Sequence, residues 1–146
     1  MGKWFEDLQI GDEFVSPGRT VTEADIANFA GLTGDWSELH VNREVAEKGF
    51  FGQRIAHGAL TFSLSTGLSV RLGLLDDTLL AFYGVDRLRF SQPVFIGDTI
   101  RVRKRVESKE SRDEQSGILT FRTEVINQHN EVVLSYQDKV LLKKRG

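Results

Sequence analysis

Apolar and polar positions alternate along much of the second half of the chain. In "IRVRKRV", Ile100, Val102 and Val106 oppose Arg101, Arg103 and Arg105; in "LTFRTEV", Leu119, Phe121 and Val125 oppose Thr120, Arg122 and Glu124. A period of two predicts strands with one face on a core and one toward water. "LLAFYGVDRLRF" is a β-rich run before them, and "VVLSYQDKVLL" continues as a long strand after the hairpin-like "NQHNE". The first half repeats differently. "TEADIANFAGLTG" sets Ile26, Phe29 and Ala30 on one helical face, with Thr22 and Asp25 as a capping box and Gly31 or Gly34 as the stop. A short helical turn through "NREVAEKG" and a loop to Arg54 precede a second helix. From His57 to Leu72, "HGALTFSLSTGLSVRL" is apolar or small around its circumference, with Arg71 its one firm charge, which predicts a helix buried on nearly all sides. Gly58 and Gly67 each lower its helix propensity by roughly 1 kcal/mol, a cost explained if another backbone passes close by. A short helix, a loop, a long buried helix and then several long antiparallel strands give an α+β order, with a curved sheet wrapping one helix.

Composition narrows the function. With 146 residues, no internal repeat and only two prolines, Pro17 and Pro93, both in turn-like contexts, the expectation is a single domain over 1–146. The net charge of -2, with both signs mixed, gives no footprint for nucleic acid or an anionic membrane surface. The absence of cysteine removes disulfides, thiolate nucleophiles and cysteine-ligated zinc. The start "MGKWFEDLQIGDEF" has no signal-peptide core, and Glu6 stands where a myristoylation signal has Ser or Thr; cytoplasmic residence is the expectation. Three scattered histidines, His40, His57 and His129, lack metal-ligand spacing, so neither a metal nor another cofactor is expected.

The candidate chemistry lies in "TGDWSELHVN". Asp35 and His40 are five residues apart: on a helix that leaves them about 140° apart, and on a strand it sends them to opposite faces. They converge only if the chain bends between them. This stretch, with "AHGAL" opening the long helix and "RFSQPVFIGDT" after it, resembles the MaoC-like, (R)-specific enoyl-CoA hydratases, whose pattern runs Gly-Asp-x-Asn-Pro-aliphatic-His and later His-Gly-aliphatic. The resemblance covers most of the chain and implies the hot-dog fold. It also implies reversible addition of water to a trans-2-enoyl thioester of coenzyme A or acyl carrier protein, giving an (R)-3-hydroxyacyl thioester. Asp35 and His40 would hold the water and share the base and acid roles. The N–H of Gly58 would receive the developing thioester oxyanion, Thr66 would orient the acid, and His57 would open the helix as a structural or substrate-facing residue. A homodimer or higher homo-oligomer, with the substrate tunnel near the shared surface, is implied too. Ser37 and Glu38 depart from the family Asn and Pro, which makes the loop less rigid. The alternatives are a hot-dog thioesterase, a class that often places a carboxylate on or beside the central helix, where this helix has none from His57 to Leu72, and a non-catalytic acyl-thioester binder or structural subunit.

Overall fold

The computed structural model describes residues 2–146. Six strands and four helices follow in the order β1 (Glu13–Val15), β2 (Arg19–Thr20), α1 (Glu23–Thr33), α2 (Glu38–Val41), α3 (Arg43–Glu47), α4 (Gly58–Val70), β3 (Leu79–Phe90), β4 (Thr99–Ser111), β5 (Ser116–Ile126) and β6 (Val132–Lys143). The sheet is antiparallel in the order β1-β4-β5-β6-β3, with β2 also on β4. Of the three long central strands, β4 and β5 are the two whose alternation is read from the sequence. Ile100, Val102, Val106, Leu119, Phe121 and Val125 are fully buried.

The core divides along the sheet. Under one end, Leu60 and Leu68 of α4 and Ile26 of α1 pack with Ile100, Val102, Val125, Val133 and Tyr136. Under the other, Phe5 and Leu8 of the N-terminal turn cover Val106, Leu119, Phe121, Val140 and Leu142. The expected capping box of α1 is present: Thr22 Oγ1 accepts from the Asp25 N–H, and the Asp25 carboxylate accepts from the Thr22 N–H. Gly34, at φ 79°, ends the helix in the left-handed region that favours glycine.

The long helix differs from expectation in one respect. Leu60, Thr61, Ser65 and Leu68 are buried, but Ala59, Ser63, Gly67 and Val70 form an open stripe in the single chain. A Cβ built on Gly67 meets nothing within 4 Å. The close backbone approach is found at neither glycine: at Gly58 the neighbour is the Phe90 ring, a side chain, whose Cε1 would lie 2.8 Å from an added Cβ.

The free edge of β3 is its other notable surface. Its pairing with β6 shifts register three times, and Arg87 adopts φ 54°. Leu79, Leu80, Phe82, Tyr83 and Phe90 are exposed along it.

Candidate active site

The bend required between Asp35 and His40 has an identifiable construction. Gly34 turns the chain out of α1, and Asp35 follows in irregular backbone, where its Oδ1 accepts from the Ser37 N–H at 3.2 Å. Ser37 then starts α2, a single turn in which His40 is the third residue. Glu38 occupies the first helical position. Proline is tolerated there because its missing N–H has no intrahelical partner to lose, and a carboxylate there suits the positive helix end. The departure from the family pattern therefore falls where the local fold accepts it, and a hydrogen-bonded turn holds the loop.

His40 is buried, and its Nδ1 lies 2.8 Å from the Ile55 carbonyl. A carbonyl only accepts, so Nδ1 carries the proton and a neutral ring keeps its lone pair on Nε2. Ile55 is in turn anchored to the sheet side of the molecule by a β-bridge to Phe95, and the Ala56 N–H donates to the Val94 carbonyl. Asp35 is exposed. Asp35, His40 and His57 each offer a carboxylate oxygen or ring nitrogen, and these atoms lie within 4.8 Å of one another. These separations do not exceed 4.8 Å, and two hydrogen bonds of about 2.8 Å meeting at a tetrahedral angle span about 4.6 Å, so acid and imidazole are within reach of one shared water.

These three residues also form a possible ligand set for a metal ion. The His40 and His57 rings, however, are stacked, with centroids 3.9 Å apart and planes at 27°. Stacked rings direct their in-plane lone pairs side by side rather than toward one point, unlike a tetrahedral site.

His57 caps α4 without a side-chain hydrogen bond to the helix, so the first N–H groups of α4 are not taken by a cap. Gly58 opens the helix and, with His40, lines a cavity of about 470 Å³, walled by Phe51, Ile55, Thr61, Phe90 and Val133 among others. The cavity thus brings together the imidazole and the N-terminus of α4.

Thr66 is elsewhere. Its Oγ1 donates to the Ser63 carbonyl, and it lines a second cavity of about 380 Å³ with Val70, Leu79 and Phe82. Eight residues past Gly58, it sits about 12 Å along the helix, so within one chain it does not reach Asp35. Trp36 is exposed, in a shallow polar cleft with Arg43 and Arg54 rather than in the cavity of His40. His129 is exposed in the β5–β6 turn.

Sequence reasoning missed the polar cluster beneath the second cavity. Lys104 Nζ donates to Thr123 Oγ1 and Asp138 Oδ2, both at 2.8 Å, and the Thr123 hydroxyl donates to Asp138 Oδ1 at 2.6 Å. Burial pulls the Lys104 ammonium below the ordinary lysine range, opposed by the charge of Asp138. Burial, helped by the charge of Asp138, pushes the Tyr136 phenol well up, and its OH lies 2.7 Å from Ser65 Oγ. Lys104 follows Val102 and precedes Val106 at the same parity, so alternation already marked it as interior. Phe90 gave no comparable signal.

An α+β hot-dog layout with an imidazole and a helix N-terminus at one cavity, and an acid beside that imidazole though not among the cavity's walls, defines a class, and the comparisons agree with it. Residues 7–128 match the MaoC like domain, and the chain belongs to that family. It is 34% identical over 143 residues to an (R)-specific enoyl-CoA hydratase of Rhodospirillum rubrum, covering 98% of this chain and 94% of that one. It is 43% identical over 119 residues to Protein MaoC of Klebsiella aerogenes, which covers 78% of this chain but only 35% of the relative. Among solved structures, a Monoamine oxidase regulatory protein from Archaeoglobus fulgius superposes with TM-score 0.92 at 41% identity, over 99% of this chain and 97% of the other. The MaoC-like dehydratase from Rhodospirillum rubrum gives TM-score 0.90 at 30% identity, over 99% of both chains. Among the described residues, no helix is long and apolar enough to cross a membrane.

Proposed function

We propose that this chain is a hydro-lyase that reversibly adds water to a trans-2-enoyl thioester, giving the (R)-3-hydroxyacyl thioester, with Asp35 and His40 acting together on one water. The observation that carries this reading is the convergence of a carboxylate and an imidazole, five residues apart in sequence, to within 4.8 Å beside the N-terminus of α4. Hydration needs a group to take a proton from water and a group to deliver one to the α-carbon, and two neighbouring titratable groups do both in sequence. The enolate oxygen formed at the thioester needs fixed donors, and the N–H of Gly58 at an uncapped helix end is one. A hydrolase is the weaker reading because α4 carries no Asp or Glu from Gly58 to Val70. The R. rubrum relative, described as an (R)-specific enoyl-CoA hydratase, supports the substrate class.

The working form in this reading is a homodimer joined along the free edge of β3. Two-fold pairing of antiparallel copies sets the Leu79 end of one strand beside the Phe90 end of the other. The cavity containing Thr66, Leu79 and Phe82 would then adjoin the partner's cavity containing His40 and Phe90, so Thr66 would serve the partner's acid rather than its own. The open stripe on α4 would be covered at the same contact.

The experiment is loss of enoyl-thioester absorbance when enzyme is added to crotonyl-CoA and its longer homologues, for the parent, Asp35→Asn and His40→Ala. Each single variant should lose most of the activity while remaining folded, and the double variant should be little worse than either. Near-parental turnover by either single variant refutes the paired role.

A further inference from the structure

We propose that His57 is a positioning residue: it ties the Asp35 loop to the start of α4 and backs the His40 ring, so that acid and imidazole keep their separation through turnover. The inference rests on the hydratase reading above and goes beyond it by giving a role to the third polar side chain in the cluster.

Three observations carry it. The Nε2 of His57 lies 2.9 Å from the Asp35 carbonyl, and since a carbonyl only accepts, Nε2–H is the donor. This bond crosses 22 residues of sequence and joins the two halves of the motif, the Gly-Asp turn and the His-Gly helix start. The His57 ring also stacks on His40 at 3.9 Å, while Phe29 of α1 presses its edge on His57 from another side at 5.0 Å. His57 thus touches the backbone of Asp35 and the ring of His40, and is itself held by α1 and α4. Finally, His57 is 2% exposed, and its Nδ1 is buried with no hydrogen-bond partner. A buried acceptor without a partner is destabilising, so an imidazole here does not maximise stability. A leucine would remove the orphaned nitrogen without loss of apolar burial. What only the imidazole supplies is a rigid ring with an N–H aimed at Asp35.

A group that positions others without touching substrate affects the chemical step more than binding. The tests are His57→Leu, which keeps apolar bulk and removes the donor, and His57→Gln, whose amide N–H reaches the Asp35 carbonyl. Both are assayed on crotonyl-CoA, with thermal melting of each variant and with Asp35→Asn and His40→Ala measured alongside. The expected result for His57→Leu is a Tm at or above the parent's, a kcat lower by about tenfold to a hundredfold, and a KM within about twofold. His57→Gln should recover much of that kcat. The inference is overturned if His57→Leu keeps the parental kcat, if it melts far below the parent, if its loss lies in KM, or if the two variants are equally impaired. Should Asp35→Asn and His40→Ala also turn over normally, it is the hydratase site itself that has been misread. If they are inactive while His57→Leu is not, only the role of His57 fails.

Discussion

Replacing Gly58 by alanine probes the site through a contact that its sequence gave no hint of. The new methyl would lie 2.8 Å from Phe90 Cε1 and 3.1 Å from both Cδ1 and Cζ, well inside ordinary carbon–carbon contact. In the single chain Phe90 is 54% exposed, at the end of an edge strand, so its ring has room to move aside; in the proposed dimer it stands at the seam, and moving it would also weaken self-association. A surface side chain that moves in this way costs under about 1 kcal/mol, and alanine partly offsets this through its better helix propensity. The fold should therefore hold, with Tm close to the parent's. Catalysis should not hold. The methyl and the displaced ring both intrude on the cavity where the thioester must approach the Gly58 N–H, and losing one such donor interaction is worth about 3 kcal/mol, or roughly a hundredfold in kcat/KM. Initial rates on crotonyl-CoA for Gly58→Ala, Phe90→Ala and the double variant separate the two causes. If the double variant recovers the rate of Phe90→Ala alone, the displaced ring is the obstacle; if it stays slow, the methyl blocks the thioester directly. A Gly58→Ala protein that folds normally and hydrates at the parental rate refutes the reasoning, because the charge is then stabilised somewhere else.

Other perturbations test the frame around the site. Asp138→Ala strands the Lys104 charge in the core and should cost about 3–5 kcal/mol in urea unfolding, whereas Lys104→Met with Asp138→Leu should return stability to the parental level or above; equal losses would mean the pair is not the buried unit described here. Asp7 is held below the ordinary carboxylate range by the Arg145 guanidinium beside it and Asp113 by the Gln115 N–H, while at Asp25 burial works against the bonds from Thr22 and Arg19 that prevail. All three are deprotonated more readily folded than unfolded, so the stability they add is present above their unfolded pKa values and falls as pH drops through the folded ones; urea midpoints unchanged between neutral pH and pH of about 3 would contradict this. Gly67→Leu should leave the isolated fold intact, since its Cβ meets nothing within 4 Å, yet weaken self-association measured by sedimentation if the open stripe of α4 meets a second copy.

How far the sequence predicts this molecule depends on whether a feature is set locally. The capping box of α1 and the inward parity of Ile100, Val102, Val106, Leu119, Phe121 and Val125 are decided within a few residues and stand where the pattern placed them, and of the two glycines offered as the helix stop it is Gly34, with Gly31 inside the helix. The acid–imidazole bend was legible too, because neither helix nor strand could join residues five apart. By contrast, α2 is a single turn whose His40 is held by the Ile55 carbonyl from fifteen residues away, and no four-residue segment announces itself as a helix alone. The exposed stripe of α4 was hidden for a related reason: a helix made of small residues all round reads the same whether every side is buried within its own chain or one side awaits another. Thr66 shows the limit of motif transfer. Its position in sequence follows the family, but its distance along the helix separates it from the acid of its own chain.

The two halves of the proposed catalytic pair are not held alike, and that difference bears on how the site works. His40 is 8% exposed, fixed at Nδ1 by the Ile55 carbonyl and backed by a stacked ring, and Ile55 is bridged to Phe95 just before β4. Asp35 lies exposed on a turn, with one carboxylate oxygen engaged by the Ser37 N–H and its backbone held by His57. The imidazole is therefore placed by the core, whereas the acid is placed by a loop that closes against it. In a single chain that leaves the carboxylate facing water, where a water between acid and base exchanges freely and charge is weakly felt. Excluding bulk water would strengthen every interaction in the site. The surface able to do so is the one that β3 leaves unpaired, at whose end Phe90 already walls the cavity. If so, activity should track dimer concentration. Leu80→Glu with Tyr83→Glu, two exposed positions on that edge remote from the acid and imidazole in sequence, should lower kcat in parallel with the fraction of dimer seen by sedimentation; full activity from a monomer would show that the loop alone closes the site.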